Sequence, residues 1–164
     1  MTSHVTATFK TRQAAESALT QLDAIGIKDD QIGLVVSDET RGSSFNIEKD
    51  SKTDEGFATG ASAGGIIGAV IGALSTATAM TIPGLNIVVT GVFVSTLAGL
   101  GAGAATGGLI GGLVGSGMSE HEAKIVEDEV KNGAILLAVK PESDAQKDKV
   151  KDILEREDAH NLAA

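Results

Sequence analysis

The chain predicts an α+β fold interrupted by a long apolar helical hairpin, and three observations carry that expectation. Charge divides the sequence into a mixed segment ending at Glu55, an uncharged stretch from Gly56 to Ser119, and a strongly charged segment from Glu120. In the two charged segments, apolar residues alternate with period two in some stretches and recur at the helical period in others. In the uncharged stretch, glycines fall at every fourth position, a spacing that puts them on one face of a helix. A length of 164 residues allows one ordinary domain and an appendage, and is too short for two full-sized domains.

In the first segment, residues 1–55, Val5, Ala7 and Phe9 alternate with Thr6, Thr8 and Lys10, the pattern of a half-buried strand. Thr11 is placed to cap a helix from Arg12 to Ile25, in which Ala15, Ala18, Leu19, Leu22 and Ile25 form one apolar stripe. Gly26 sits where a left-handed residue ends such a helix. A second strand, Gln31 to Ser37, is built on Ile32, Leu34, Val35 and Val36. The polar stretch Asp38 to Ser44 reads as a turn into a short third strand around Phe45 to Ile47.

The last segment, residues 119–164, restarts with Ser119-Glu120-His121-Glu122, a capping box that opens a helix carrying Ala123, Val126 and Val130 on one face. Asn132-Gly133 ends it. The continuous apolar run Ala134 to Val139 predicts a central strand buried on both faces. Ser143 and Gln146 repeat the capping-box pattern before a final helix with Val150, Ile153 and Leu154 as its stripe. Strand, helix, strand and short strand, followed by helix, strand and helix, fit a small ferredoxin-like α+β domain split by the insertion at 56–118.

Within the insertion, Pro83-Gly84 is the strongest turn signal, placing a hairpin turn at 83–86 between arms of about 27 and 34 residues. As helices the arms would be roughly 40 and 50 Å long, against about 30 Å of bilayer hydrocarbon. Gly56, Gly60, Gly64, Gly68 and Gly72 form one four-residue series, and Gly99, Gly103, Gly107, Gly111 and Gly115 a second. Interior glycines cost a helix about 1 kcal/mol each relative to alanine, so these series need an offsetting gain, and close approach of another helix supplies one. The interleaved Ile66, Ile67, Val70, Ile71, Val88, Val89, Val92, Phe93 and Val94 argue against a flexible glycine linker. These ten glycines are the expected helix-packing residues. Two dry environments suit them, a bilayer or the core of an oligomer.

Composition excludes several chemistries. A net charge of −9 opposes binding to a phosphate backbone, so no nucleic-acid partner is expected. The absence of cysteine removes disulfides, thiolate metal sites and cysteine nucleophiles. Met1-Thr2-Ser3-His4-Val5 lacks the basic and apolar regions of a secretory signal, which points to a cytoplasmic start. Gly99-Leu100-Gly101-Ala102-Gly103 falls short of a dinucleotide loop, and the stretch has no lysine for a Walker loop. His4, His121 and His160 are scattered, and His121-Glu122-Ala123-Lys124 is not a zinc motif. The acidic residues Glu120, Glu122, Glu127, Asp128, Glu129, Asp144, Asp148, Asp152 and Glu155 read as solvent faces matched by nearby lysines. No catalytic residue, metal site, cofactor or small-molecule ligand is predicted.

Ile82-Pro83-Gly84, Gly111-Gly112-Leu113-Val114-Gly115, Gly117-Met118-Ser119-Glu120-His121-Glu122-Ala123 and Val130-Lys131-Asn132-Gly133-Ala134-Ile135-Leu136 together resemble the bacterial general stress protein and low-temperature-induced protein family. The resemblance covers most of the chain. It implies a glycine-zipper hairpin inside a split α+β domain, an association with stress, frequent membrane assignment and no established enzymatic activity. Asn86 and the β-branched run behind it depart from the small residues and proline that the family tends to carry there.

The resulting expectation is a non-enzymatic homo-oligomer whose hairpins pack side by side in the bacterial inner membrane, with cytoplasmic α+β domains and a role in membrane maintenance or as a pore. The bilayer and further copies of the chain are its expected partners. A soluble cytoplasmic shell or ring cored by the hairpins is the first alternative, and a ligand-sensing ferredoxin-like domain the second.

Overall fold

The computed structural model describes residues 4–45, 80–82, 84–92, 94, 102–115 and 117–163. Six strands, β1 (Val5–Phe9), β2 (Ile32–Ser37), β3 (Met80–Ile82), β4 (Ile87–Val89), β5 (Ile135–Val139) and β6 (His160–Ala163), form one antiparallel sheet in the order β3-β4-β2-β5-β1-β6. Five described helices accompany them: α1 (Arg12–Ala24), α2 (Asp38–Phe45), α3 (Ala102–Gly115), α4 (Glu120–Lys131) and α5 (Asp144–Arg156).

Strand β5 lies at the centre because its sequence is apolar on both sides of the pleat. It pairs with β1 from Val5↔Val139 to Phe9↔Ile135, and with β2 from Ile32↔Val139 to Val35↔Leu136. Ile135, Leu137 and Val139 face the first cluster, where Leu19 and Leu22 of α1 and Val150 and Leu154 of α5 meet Phe9 and Leu34. Leu136 and Ala138 face the second cluster, where Leu109 and Leu113 of α3 meet Val126 and Val130 of α4. The sheet is therefore covered on both faces, and each fully buried leucine stabilises the fold by about 1.5–3 kcal/mol.

Double coverage changes the expectation for β1, which reads as half-buried but has all five residues buried. Its polar side, Thr6 and Thr8, lies on the second face. Thr8 is accommodated there because its hydroxyl lies 2.8 Å from Glu129 Oε2, which also accepts at 2.7 Å from Asn161 Nδ2. Glu129 thus ties α4 to β1 and to β6, a strand with no apolar alternation to announce it.

The caps form where the side-chain chemistry places them. Thr11 Oγ1 accepts from Ala14 N–H at 3.2 Å. Ser119 and Glu122 complete a reciprocal capping box. Ser143 accepts from Gln146 N–H at 3.2 Å, while Gln146 Oε1 instead receives the Glu142 N–H, so the second box is only half made. Gly26 and Gly133 end α1 and α4 with φ values of +85° and +106°. Asp38 to Phe45, expected as a turn and the start of a strand, is helix α2 instead. Ser37 caps it, its Oγ accepting from Thr40 N–H at 3.1 Å.

The largest correction concerns the apolar insertion. Met80–Ile82 and Ile87–Val89, assigned above to helical arms, are paired strands running from Met80↔Val89 to Ile82↔Ile87. The β-branched run Ile87-Val88-Val89 favours the pleated surface over the helix, and it finds β2 as a second partner from Val35↔Val89 to Ser37↔Ile87. The turn at 84–86 therefore joins strands, with Gly84 at φ +81° and Asn86 at φ +51°. Asn tolerates that left-handed geometry better than most residues, which accounts for its place before β4. Behind β4, Gly91 has φ +64°, and an added Cβ would lie 2.0 Å from the Ile32 carbonyl oxygen.

In the second arm the described residues include helix α3, 14 residues with a non-helical backbone at Gly108 (φ +57°, ψ −141°). At 1.5 Å per residue it is roughly 21 Å long, short of about 30 Å of hydrocarbon. Among the described residues, no helix is long and apolar enough to cross a membrane. This overturns the transmembrane helical hairpin expected from the sequence. The series Gly56 to Gly72, together with Pro83 and Gly99, lies outside the described residues.

Candidate functional site

Among the described residues, two places have the character of a site. The first is the outward side of the α3–α4 layer. Leu109 and Leu113 turn inward and are fully buried, which fixes the opposite side of the 109–115 piece of α3 toward the surface. Gly103, Gly107, Gly111 and Gly115 all fall within α3, but the break at Gly108 divides them between two helical pieces. Gly111 is half-buried and Gly115 exposed. Val114 on α3 is 41% exposed and Ile125 on α4 is 38% exposed, the exposed large hydrophobics among the described residues. A surface on α3 without charge, carrying a large apolar side chain beside a glycine, is suited to close contact with another apolar helix.

The second is a cleft of about 420 Å³ lined by Ser37, Asp38, Glu39, Leu85, Asn86 and Lys131. Three distant segments build it. The β3–β4 turn is tied to the start of α2 by Asp38 N–H donating to the Asn86 carbonyl at 2.7 Å. Ser37 and Thr40 hydroxyls lie 2.8 Å apart beneath it. Lys131, in the last turn of α4, donates to Glu127 Oε1 at 2.6 Å. Asp38 approaches Arg41 Nη1 at 4.0 Å, and the buried Arg41 Nε has no hydrogen-bond partner. The cleft is thus polar, with its charges of both signs drawn toward neighbours.

The carboxylates are less uniformly solvated than the sequence suggests. Glu127 is 7% exposed and held by Lys131, and Glu129 is engaged with Thr8 and Asn161. Glu122 has its carboxyl held below the usual range, first by the Ser119 hydroxyl and then by the Ser119 backbone N–H. His4 is half-buried beside β1, while His121 and His160 are exposed. Burial pushes the His4 imidazole below its ordinary pKa, and the Lys140 charge adds to that shift. Among the described residues, no group of three or more His, Cys, Asp or Glu side chains is arranged to hold a metal ion.

Sequence reasoning singled out the α3 glycines for helix packing and did not anticipate the cleft. Its six lining residues come from 37–39, 85–86 and 131, and no local spacing connects them. A weak signal existed in Asn86, the polar residue between apolar runs at a turn. The chain matches no family model, no curated protein and no solved structure.

Proposed function

We propose that this is a non-enzymatic, self-associating protein in which the uncharged side of α3 packs against α3 of a second copy. The observation that carries it is the exposure of Val114 and Ile125 on one layer, next to glycines that permit close approach. The glycine-patterned insertion is then a contact element and the charged remainder a scaffold. That scaffold is a split ferredoxin-like unit: β1–α1–β2 and β5–α5–β6 contribute the adjacent strands β2-β5-β1-β6, with α1 and α5 on the same face. The resemblance to the general stress protein family supports a role under stress.

Sedimentation velocity on the purified chain without detergent tests the proposal. A discrete species heavier than the 16.5 kDa chain is expected, reduced to monomer by Val114→Lys or Gly115→Leu. Both positions are exposed, so neither change disturbs the core. A wild-type chain that sediments as monomer at micromolar concentration sinks the reading.

The cleft favours a second reading, a ligand-sensing domain. Here Lys131→Ala and Asn86→Ala would abolish saturable binding of a small polar ligand and leave the sedimentation profile unchanged.

A further inference from the structure

The chain contains four asparagines, and only Asn132 is followed by glycine; Asn46, Asn86 and Asn161 precede Ile, Ile and Leu. An asparagine is converted to an acid when the backbone nitrogen of the next residue attacks its side-chain carbon, and a following glycine offers that nitrogen the least steric hindrance. Asn132 is exposed and sits at the joint between α4 and β5. We propose that Asn132 is a covalent modification site, a deamidation centre gated by the α4 cap.

The native cap holds the reacting groups apart. Asn132 has φ −88° and ψ 9°, a near-helical setting in which the Gly133 nitrogen points away from the side-chain amide. Gly133 N–H donates to the Val130 carbonyl at 3.1 Å, and Ala134 N–H to the Glu129 carbonyl at 2.9 Å. Asn132 Nδ2 itself donates to the Asp128 carbonyl at 2.8 Å. Ring closure requires rotation about ψ of Asn132, which breaks the first two bonds, and withdrawal of the amide from the third. Once the cap opens, hydroxide removes the Gly133 amide proton and the nitrogen attacks Asn132 Cγ. The new N–Cγ bond forms, the side-chain nitrogen takes up a proton and leaves as ammonia, and a cyclic imide remains. One water opens the imide at either carbonyl, giving aspartate or isoaspartate.

The position gives the reaction consequences for the fold. Isoaspartate routes the main chain through the side-chain carbon, lengthening the joint by one methylene immediately before the strand that pairs with both β1 and β2. Aspartate keeps the spacing but places a negative charge at the C-terminal end of α4, where the helix dipole disfavours it.

Peptide mass spectrometry after incubation at mildly alkaline pH, folded and in urea, tests the proposal. In urea, Asn132 should convert before the other three asparagines. In the folded protein it should convert at least about tenfold more slowly, because the cap must first open. A Gly133→Ala chain in urea, where folding is irrelevant, should lose the preference for Asn132. Earlier conversion of another asparagine in urea overturns the site. Equal folded and unfolded rates at Asn132 overturn the gating.

Discussion

The two faces of the sheet are covered by layers built in different ways. On the first, α1 and α5 combine N-terminal caps from Thr11 and Ser143 with an apolar stripe and a charged outer side. On the second, α4 follows the same design, but its neighbour α3 has no charged residue and is broken at Gly108. α1 is oriented by the contrast between its faces, so water and core agree on its rotation. α3 has no such contrast, and its orientation depends on the two leucines it inserts beneath the sheet. Glycine spacing therefore describes which surface of α3 is smooth, and the leucines decide which surface points inward.

If that comparison holds, Leu113→Ala will be as damaging as Leu22→Ala, the equivalent deletion in α1. Both side chains are fully buried, and each substitution should cost about 2–5 kcal/mol in urea-induced unfolding. A cost below about 1 kcal/mol for Leu113→Ala alone would mean that α3 is docked far more loosely than α1.

A smaller effect separates α3 from α4 by its caps. Ser119 both accepts from Glu122 N–H and receives the Glu122 carboxylate on its backbone N–H at 3.1 Å. Ser119→Ala should cost about 1 kcal/mol. Glu122→Gln, which keeps a side-chain acceptor, should cost less, and equal losses would show that charge at the helix start matters more than the hydrogen bond.

How far these layers were legible follows from the same contrast. Thr11, Ser119, Gly26 and Gly133 announce their helix ends because capping is local chemistry, settled within four residues. The run Ala134 to Val139 announces a central strand because no polar residue interrupts it. Ile87 to Val89 carries an equally plain β-branched signal, yet the surrounding lack of charge suggested a helix, and the turn between β3 and β4 suggested a helical one. Strand β6 was invisible, since His160 and Asn161 are polar and its attachment runs through pairing with β1, at the other end of the chain, and through Glu129, 32 residues from Asn161. The cleft failed for the same reason: tertiary pairing alone brings Asn86 to Asp38 and Lys131 beside them.

Gly108 offers a test that turns on sign. In a regular helix, replacing glycine by alanine stabilises by about 1 kcal/mol. At φ +57° the same change forces an L-residue into the left-handed region, and its Cβ would lie 3.2 Å from Leu85 Cδ1. Gly108→Ala should therefore destabilise by about 1 kcal/mol. Stabilisation of similar size would restore a continuous α3 and with it the straight glycine face.

The smallest effect lies on the first strand. His4 has its pKa lowered from 6.5, mainly by burial and secondarily by Lys140, which follows the partner of Val5 in the β1–β5 register. A depressed folded pKa means that the unfolded chain takes up the proton first as the solution is acidified. The contribution of His4 is thus fully present above the unfolded value and is lost as pH falls through the folded one. His4 is only half-buried, so the slope should be shallow, and His4→Gln should flatten it in denaturation curves measured on either side of 6.5. Lys140→Gln separates the two causes. Because burial is the larger, most of the slope should survive that substitution; a slope that vanished would make the lysine the dominant influence and leave β1 less well covered than its neighbours.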